Sequence, residues 1–228
     1  MSPSRRLALV AAALYAVTWV TSVAAVPLYG GSAQDATAAL AGRPSVLTAA
    51  LLEIVLAVAV VGTAIALYPL LREHGPGSAL GYAALRTLEA SVILVGVVAI
   101  LPVVARPSAT GDPGLGEGIG EALHLLHDWT FLVGPGLVNP VNALVLASLL
   151  LRRRLVARWI PLLGIAGALI VAAMNIVVMF GLASPQPLLA VPLFCWEISL
   201  AGWLALRGIP APGPREAADG LLAQGVTS

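Results

Sequence analysis

Two histidines, two acids and two asparagines crowd into the stretch Glu121-Ala-Leu-His-Leu-Leu-His-Asp-Trp-Thr-Phe-Leu-Val-Gly-Pro-Gly-Leu-Val-Asn-Pro-Val-Asn142. In a helix, His124, His127 and Asp128 stand at i, i+3 and i+4 on one face, with Glu121 one turn earlier. Imidazole and carboxylate are good ligands for zinc or iron, and Glu-x-x-His is the pair that di-iron bundle helices present. The same groups can hand on protons, or settle into a hydrogen-bonded network near a membrane interface. All three readings fit the spacing. A metal would take His124, His127 and Asp128 and would need further carboxylates from other helices. The sequence names no cofactor.

Other ionisable groups lie inside apolar runs, where each costs roughly 2.5–3.5 kcal/mol to insert and so asks for a reason. Glu53 lies about 10 Å from one end of its run by helical rise. Tyr82, Arg86 and Glu89 recur at i, i+4 and i+7 as one stripe, and Arg86 can pair with Glu89 at i, i+3. Glu197 falls near the middle of the last run. Three acids against one such arginine leave surplus carboxyl groups, and a buried carboxyl that keeps its proton can act as a general acid. Glu53, Arg86, Glu89, Glu197 and Asp128 are therefore the candidate catalytic residues. Asn139 and Asn142 share a stripe, as do Tyr15, Thr18 and Ser22, and Asn175 adds a further amide. Tyr82, Trp129, Asn139, Asn142 and Asn175 are the candidates for binding a substrate. The expectation is one polar cavity shared by the helices and tilted toward the outer half of the membrane. The alternative is that the asparagines and the Arg86–Glu89 pair are interhelical glue, worth about 0.6 kcal/mol each.

The elements that must position these groups follow from composition. The chain is 59% hydrophobic and 10% charged, with a mean hydropathy of +0.96. A soluble domain carries about 25% charged residues and needs a polar surface; lipid solvates the excess here. A run of about 20 apolar residues crosses a bilayer as a helix, the form that satisfies its own backbone in hydrocarbon. The sequence predicts an all-α, polytopic transmembrane bundle of about six spans. They cover 7–28, 46–71, 80–104, 132–151 with a lead-in from 118, 159–182 and 188–206. One transmembrane domain would occupy residues 1–208, and 209–228 would form a flexible cytoplasmic tail. Arg5-Arg6 before an apolar run with Ser22-Val-Ala-Ala25 near its end imitates a cleavable signal. That run is too long for a signal core and is expected to stay as the first span.

Arg5, Arg6, Arg72, Arg152, Arg153, Arg154, Arg158, Arg207 and Arg215 fall on one side of this arrangement, and only Arg43 and Arg106 on the other. By the positive-inside rule both termini face the cytoplasm, across the inner (plasma) membrane. Tyr29, Tyr68, Tyr82, Trp129, Trp159 and Trp203 lie toward span ends, as an aromatic belt would. Gly134-Pro-Gly136 followed by Pro140 should kink the fourth span, with Asn139 or Asn142 as partners for the freed backbone groups.

Several classes are excluded. A net charge of +1 gives no electrostatic case for nucleic acid. The basic residues are all arginine, so a lysine Schiff base is ruled out. Cys195 is the only cysteine, which removes intrachain disulfides and thiolate clusters; it is expected to be a small buried core residue. His74 is expected to be solvated in a cytoplasmic loop.

Glu53 within Ala-Leu-Leu-Glu-Ile-Val, Leu80-Gly-Tyr-Ala-Ala-Leu-Arg-Thr-Leu-Glu-Ala90, His127-Asp-Trp-Thr-Phe-Leu-Val-Gly-Pro-Gly136, Arg158-Trp-Ile-Pro-Leu-Leu-Gly164 and Trp196-Glu-Ile-Ser-Leu carry a resemblance. Together they resemble a bacterial integral-membrane family catalogued as a domain of unknown function (number four-three-eight-six), over roughly residues 7–208. The resemblance implies a six-helix membrane domain and brings no reaction, substrate or cofactor. In layout alone the chain is loosely similar to small membrane-bound terpene cyclases, with Glu53 and Glu197 as positional counterparts of their intramembrane acids.

Three functions fit these residues. One is a membrane-embedded acid–base enzyme acting on a lipid-like or isoprenoid substrate. Another is a small-molecule or proton-coupled transporter, expected as a homodimer because six spans are few for a carrier. The last is a structural or accessory protein whose polar groups fix helix packing. The lipid bilayer is the partner common to all.

Overall fold

Prolines stand in the first turn of several helices, where the missing N–H would have had no helical partner. They open α1 (Pro3–Tyr29), α3 (Pro76–Ile100), α5 (Asn139–Arg152) and α7 (Val191–Leu206). Between these run α2 (Arg43–Leu71), α4 (Glu117–Val133) and α6 (Trp159–Met179). The computed structural model describes residues 1–29, 43–104 and 117–210. Residues 30–42, 105–116 with Arg106, and 211–228 with Arg215 lie outside the described residues. Every regular element among the described residues is helical.

Six helical segments are long and apolar enough to cross a bilayer: Pro3–Tyr29, Pro44–Leu71, Pro76–Val104, Gly118–Arg152, Trp159–Met179 and Pro187–Leu206. The fourth contains both α4 and α5, joined by a π-helical stretch at Gly134–Val138. Each helix packs on its neighbours in the chain, and α1 packs on α7, so the bundle closes as a ring. Its packed side is rich in small residues, among them Ala8, Ala11, Ala49, Ala64, Ala79 and Ala147. Small side chains let helices approach where lipid gives no hydrophobic drive between them. The outward side carries Val20, Val58, Ile65, Val98 and Leu169, all exposed. Apolar residues facing out and polar ones facing in is the pattern of a multi-pass membrane protein.

Helix ends at the arginine-rich side are tied together. The Arg5 guanidinium donates to the Leu204 carbonyl at 2.9 Å and to the Ala205 carbonyl, closing carbonyls that α7 leaves open. Three helices end on a residue of positive φ: α6 on Gly181, α7 on Gly208 and α5 on Arg154 at φ 53°. At Arg154 the amides of Arg154 and Leu155 return to the carbonyls of Leu151 and Leu150, a Schellman turn. A non-glycine residue there bears backbone strain. Arg154→Gly should raise stability by about 0.5–1 kcal/mol in detergent melts, while Arg154→Val should lower it.

Some expected placements are corrected. Cys195 is exposed on α7 and faces outward rather than into the core. His74 is buried, and its Nε2 lies 3.1 Å from the Pro210 carbonyl, so it is not solvated. Tyr29 and Tyr82 leave the expected aromatic belt, because both turn inward to polar partners.

Candidate functional site

The polar residues gather in two tiers. The lower tier is built on α3, whose i, i+4, i+7 stripe puts Tyr82, Arg86 and Glu89 inside, all buried. Arg86 Nη1 donates to Glu89 Oε2 at 3.1 Å, and Arg86 Nε donates to Thr63 Oγ1 of α2 at 3.2 Å. The guanidinium carbon lies 5.6 Å from the ring centre of Tyr15 and 6.0 Å from that of Tyr82. Those two tyrosines share a hydrogen bond of 2.9 Å between α1 and α3. Asn142 of α5 donates to Glu89 Oε2 at 2.6 Å. Glu197 of α7 accepts from Trp19 Nε1 of α1 at 3.2 Å and hydrogen-bonds Asn139. Glu89 and Glu197 both feel the charge of Arg86. Glu53 and Glu89 are almost fully buried, whereas Glu197 keeps intermediate exposure.

The upper tier joins α1, α2 and α4. His127 Nε2 lies 3.2 Å and 3.1 Å from the two carboxylate oxygens of Glu53 and donates to them. Tyr29 packs on the His127 ring at 4.7 Å between centroids, Phe131 flanks it at 5.1 Å, and the Tyr29 hydroxyl interacts with Glu53. Gly96 of α3 makes this approach possible, since a Cβ there would collide with Thr130 Oγ1. The other ring nitrogen, His127 Nδ1, is buried without a hydrogen bond and lies 3.7 Å from Asp128 Oδ1.

Among the described residues the polar groups therefore form two tiers rather than one cluster. Glu53 and Thr63 lie in different tiers, and ten residues of α2 separate them by about 15 Å. Glu89 and Glu197 meet around Arg86; Glu53 does not join them. His124, His127 and Asp128 do not converge either. Consecutive helical residues point about 100° apart, so with His127 inside, Asp128 turns out and its side chain is 57% exposed. Trp129 faces outward too. His124 is buried and stacks with His127 at 6.2 Å between ring centres. No three His, Cys, Asp or Glu side chains among the described residues are arranged to hold a metal.

The fourth span passes through a π-helical stretch at the Gly-Pro-Gly segment, and a different asparagine compensates there. Pro140 has no N–H to give the Gly136 carbonyl one α-helical turn back. Asn139 N–H bonds to the Gly134 carbonyl at the wider π spacing. Asn175 of α6 donates to the Gly136 carbonyl at 3.1 Å and to its own Val171 carbonyl at 2.9 Å. Asn139 and Asn142, expected in that role, serve the acids instead. Asn175→Leu should leave the Gly136 carbonyl unsatisfied and cost about 1–3 kcal/mol in detergent melts.

Sequence reading missed Trp19, Thr63 and Tyr29 as members of the tiers. For Trp19 a signal existed: it sits inside its span, away from the ends where belt tryptophans lie. Thr63 and Tyr29 gave none, because only packing across helices brings them to Arg86 and Glu53.

The model of a family described as "Domain of unknown function (DUF4386)" matches residues 7–208. No curated protein matches the chain, and no solved structure matches it.

Proposed function

Because the chain belongs to this family, whose description carries no activity, we propose a function from the tiers themselves: a membrane-embedded acid–base enzyme acting on a lipid-like, isoprenoid-type substrate. The observation that carries it is one guanidinium, Arg86, bonded to Glu89 and close enough to Glu197 to act on its charge, inside an apolar ring. Charge balance leaves one proton on that pair, since a second bare carboxylate in hydrocarbon is costly. Glu89 is held by Arg86 and Asn142 as the ionised partner. Glu197 is the proton donor, oriented by Trp19 and Asn139. The Trp19–Phe194 ring pair joins α1 to α7, and Trp19 of that pair bonds the Glu197 carboxyl. A substrate dissolved in the bilayer reaches it sideways, takes the proton, and the carboxylate regains one when the product loses its own.

Comparative lipid extracts test this. Cells carrying the wild-type chain should differ from cells carrying Glu197→Gln in at least one lipid-like species. Identical extracts, with both proteins folded and equally abundant, would remove the enzyme reading.

A second reading rests on the stacking of the tiers about 15 Å apart along α2, with the π stretch between His127 and Asn139. Two proton-bearing stations at different depths beside a broken helix suit a proton-coupled carrier, which would work as a homodimer. Proteoliposomes that show flux driven by a pH gradient, lost in Glu53→Gln, would favour it over the enzyme. Under either reading the chain sits in the plasma (inner) membrane with both termini inside. The arginines Arg5, Arg72, Arg152, Arg153 and Arg207 at the terminal side support that orientation.

A further inference from the structure

Away from both tiers, a cleft of about 370 Å³ opens at the arginine-rich end, between the start of α3 and the end of α5. Ser78, Ser148, Arg152 and Arg153 are its polar lining; Leu144 and Val145 continue the lining along α5, further from the arginine-rich end. Gly75 closes one end, and a Cβ there would come within 2.8 Å of Leu149 Cδ1, so the cleft's shape depends on that glycine. Both arginines are exposed. The wall chemistry is specific in kind. Guanidinium groups match phosphate oxygens in planar, two-bonded fashion, and serine hydroxyls add single donors. The aliphatic side chains of Leu144 and Val145, further along the same helix toward its start, suit an acyl or prenyl chain. Basic pockets between membrane helices on the cytoplasmic side hold lipid headgroups on these terms. The start of α3, which has no side-chain cap, adds its positive dipole end to the same wall.

We propose that this cleft is a phosphate site that takes the headgroup of an anionic phospholipid. Arg152 and Arg153 bind the phosphate, Ser78 and Ser148 donate to its free oxygens, and Leu144 and Val145 receive the first carbons of the chain. The site is independent of the acid tiers, so it stands or falls separately from the enzyme reading.

The test uses full-length protein in nanodiscs of phosphatidylcholine with a minor share of phosphatidylglycerol, read by native mass spectrometry. Wild type should retain phosphatidylglycerol above its share. The double variant Arg152→Gln, Arg153→Gln should retain at least about tenfold less. Ser148→Phe, which fills the cleft without changing charge, should do the same. It also keeps the question decidable if the double variant does not fold. Arg6→Gln with Arg158→Gln, which removes equal charge outside the cleft, should behave as wild type. Displacement of the lipid by millimolar inorganic phosphate would assign the site to the free ion, and no displacement assigns it to the headgroup. Equal loss in both double variants, or no enrichment and no phosphate binding by wild type, overturns the proposal.

Discussion

Arg86→Leu should destabilise the bundle by about 3–5 kcal/mol, the usual cost of removing one member of a buried ion pair. The substitution strips Glu89 of its partner at 3.1 Å and Glu197 of its nearest positive charge. It also leaves the Thr63 hydroxyl without its guanidinium donor. The loss is one of compensation rather than of packing, and a second substitution separates the two. Arg86→Leu combined with Glu89→Leu removes the charge pair together and should recover most of the stability, because Glu197 can remain neutral beside Trp19 and Asn139. The melts of the two single variants and the double variant in one detergent give the coupling directly. A double variant as unstable as the sum of its parts would mean that Arg86 acts through shape alone.

The second large effect lies at the contact of α6 with α7. A Cβ on Gly164 would overlap the Trp196 ring, and one on Gly167 would come within 2.5 Å of the Leu193 backbone nitrogen. Trp196 is among the most buried side chains, so it has nowhere to move. Gly164→Val should therefore push the helices apart and cost about 3 kcal/mol or more, at the upper end of overpacking effects. The consequence reaches the site, because Glu197 follows Trp196 on α7 and its distance to Trp19 depends on that helix staying close. Trp196→Leu in the same chain should recover part of the loss by vacating the ring's space. Gly202 on α7 meets nothing within 4 Å, so Gly202→Ala should leave the melt unchanged or slightly higher. Equal damage from Gly164→Val and Gly202→Ala would show that helix propensity, not close approach, governs this face.

Composition and run length were enough to read the bundle, because hydrocarbon permits few alternatives to helices. The Arg86–Glu89 pair was legible for a local reason: i, i+3 neighbours on one helix meet whatever the rest of the fold does. Glu53 with His127 and Trp19 with Glu197 join residues far apart in sequence, and no periodicity specifies which helix faces which. The same limit explains why the sequence points to one polar cluster where the structure has two tiers. Depth along a span could be counted from its ends, but the ring order that separates Glu53 from Glu197 could not. The stretch around His124 misled in a different way. His124 lies angularly between His127 and Asp128, and the packed face of α4 centres toward His127. Asp128 therefore leaves the interior although it shares the i, i+4 relation with His124. An irregularity in the fourth span was legible from Pro135 and Pro140, while the asparagine that answers it came from another helix.

The most direct measurement is infrared spectroscopy of the purified protein at neutral pH, in the region where protonated carboxyl groups absorb. Wild type should show a buried carboxylic-acid band that disappears in Glu197→Gln and persists in Glu53→Gln. A spectrum without such a band, or a band that survives Glu197→Gln unchanged, would contradict this: Glu197 would then hold no proton to give.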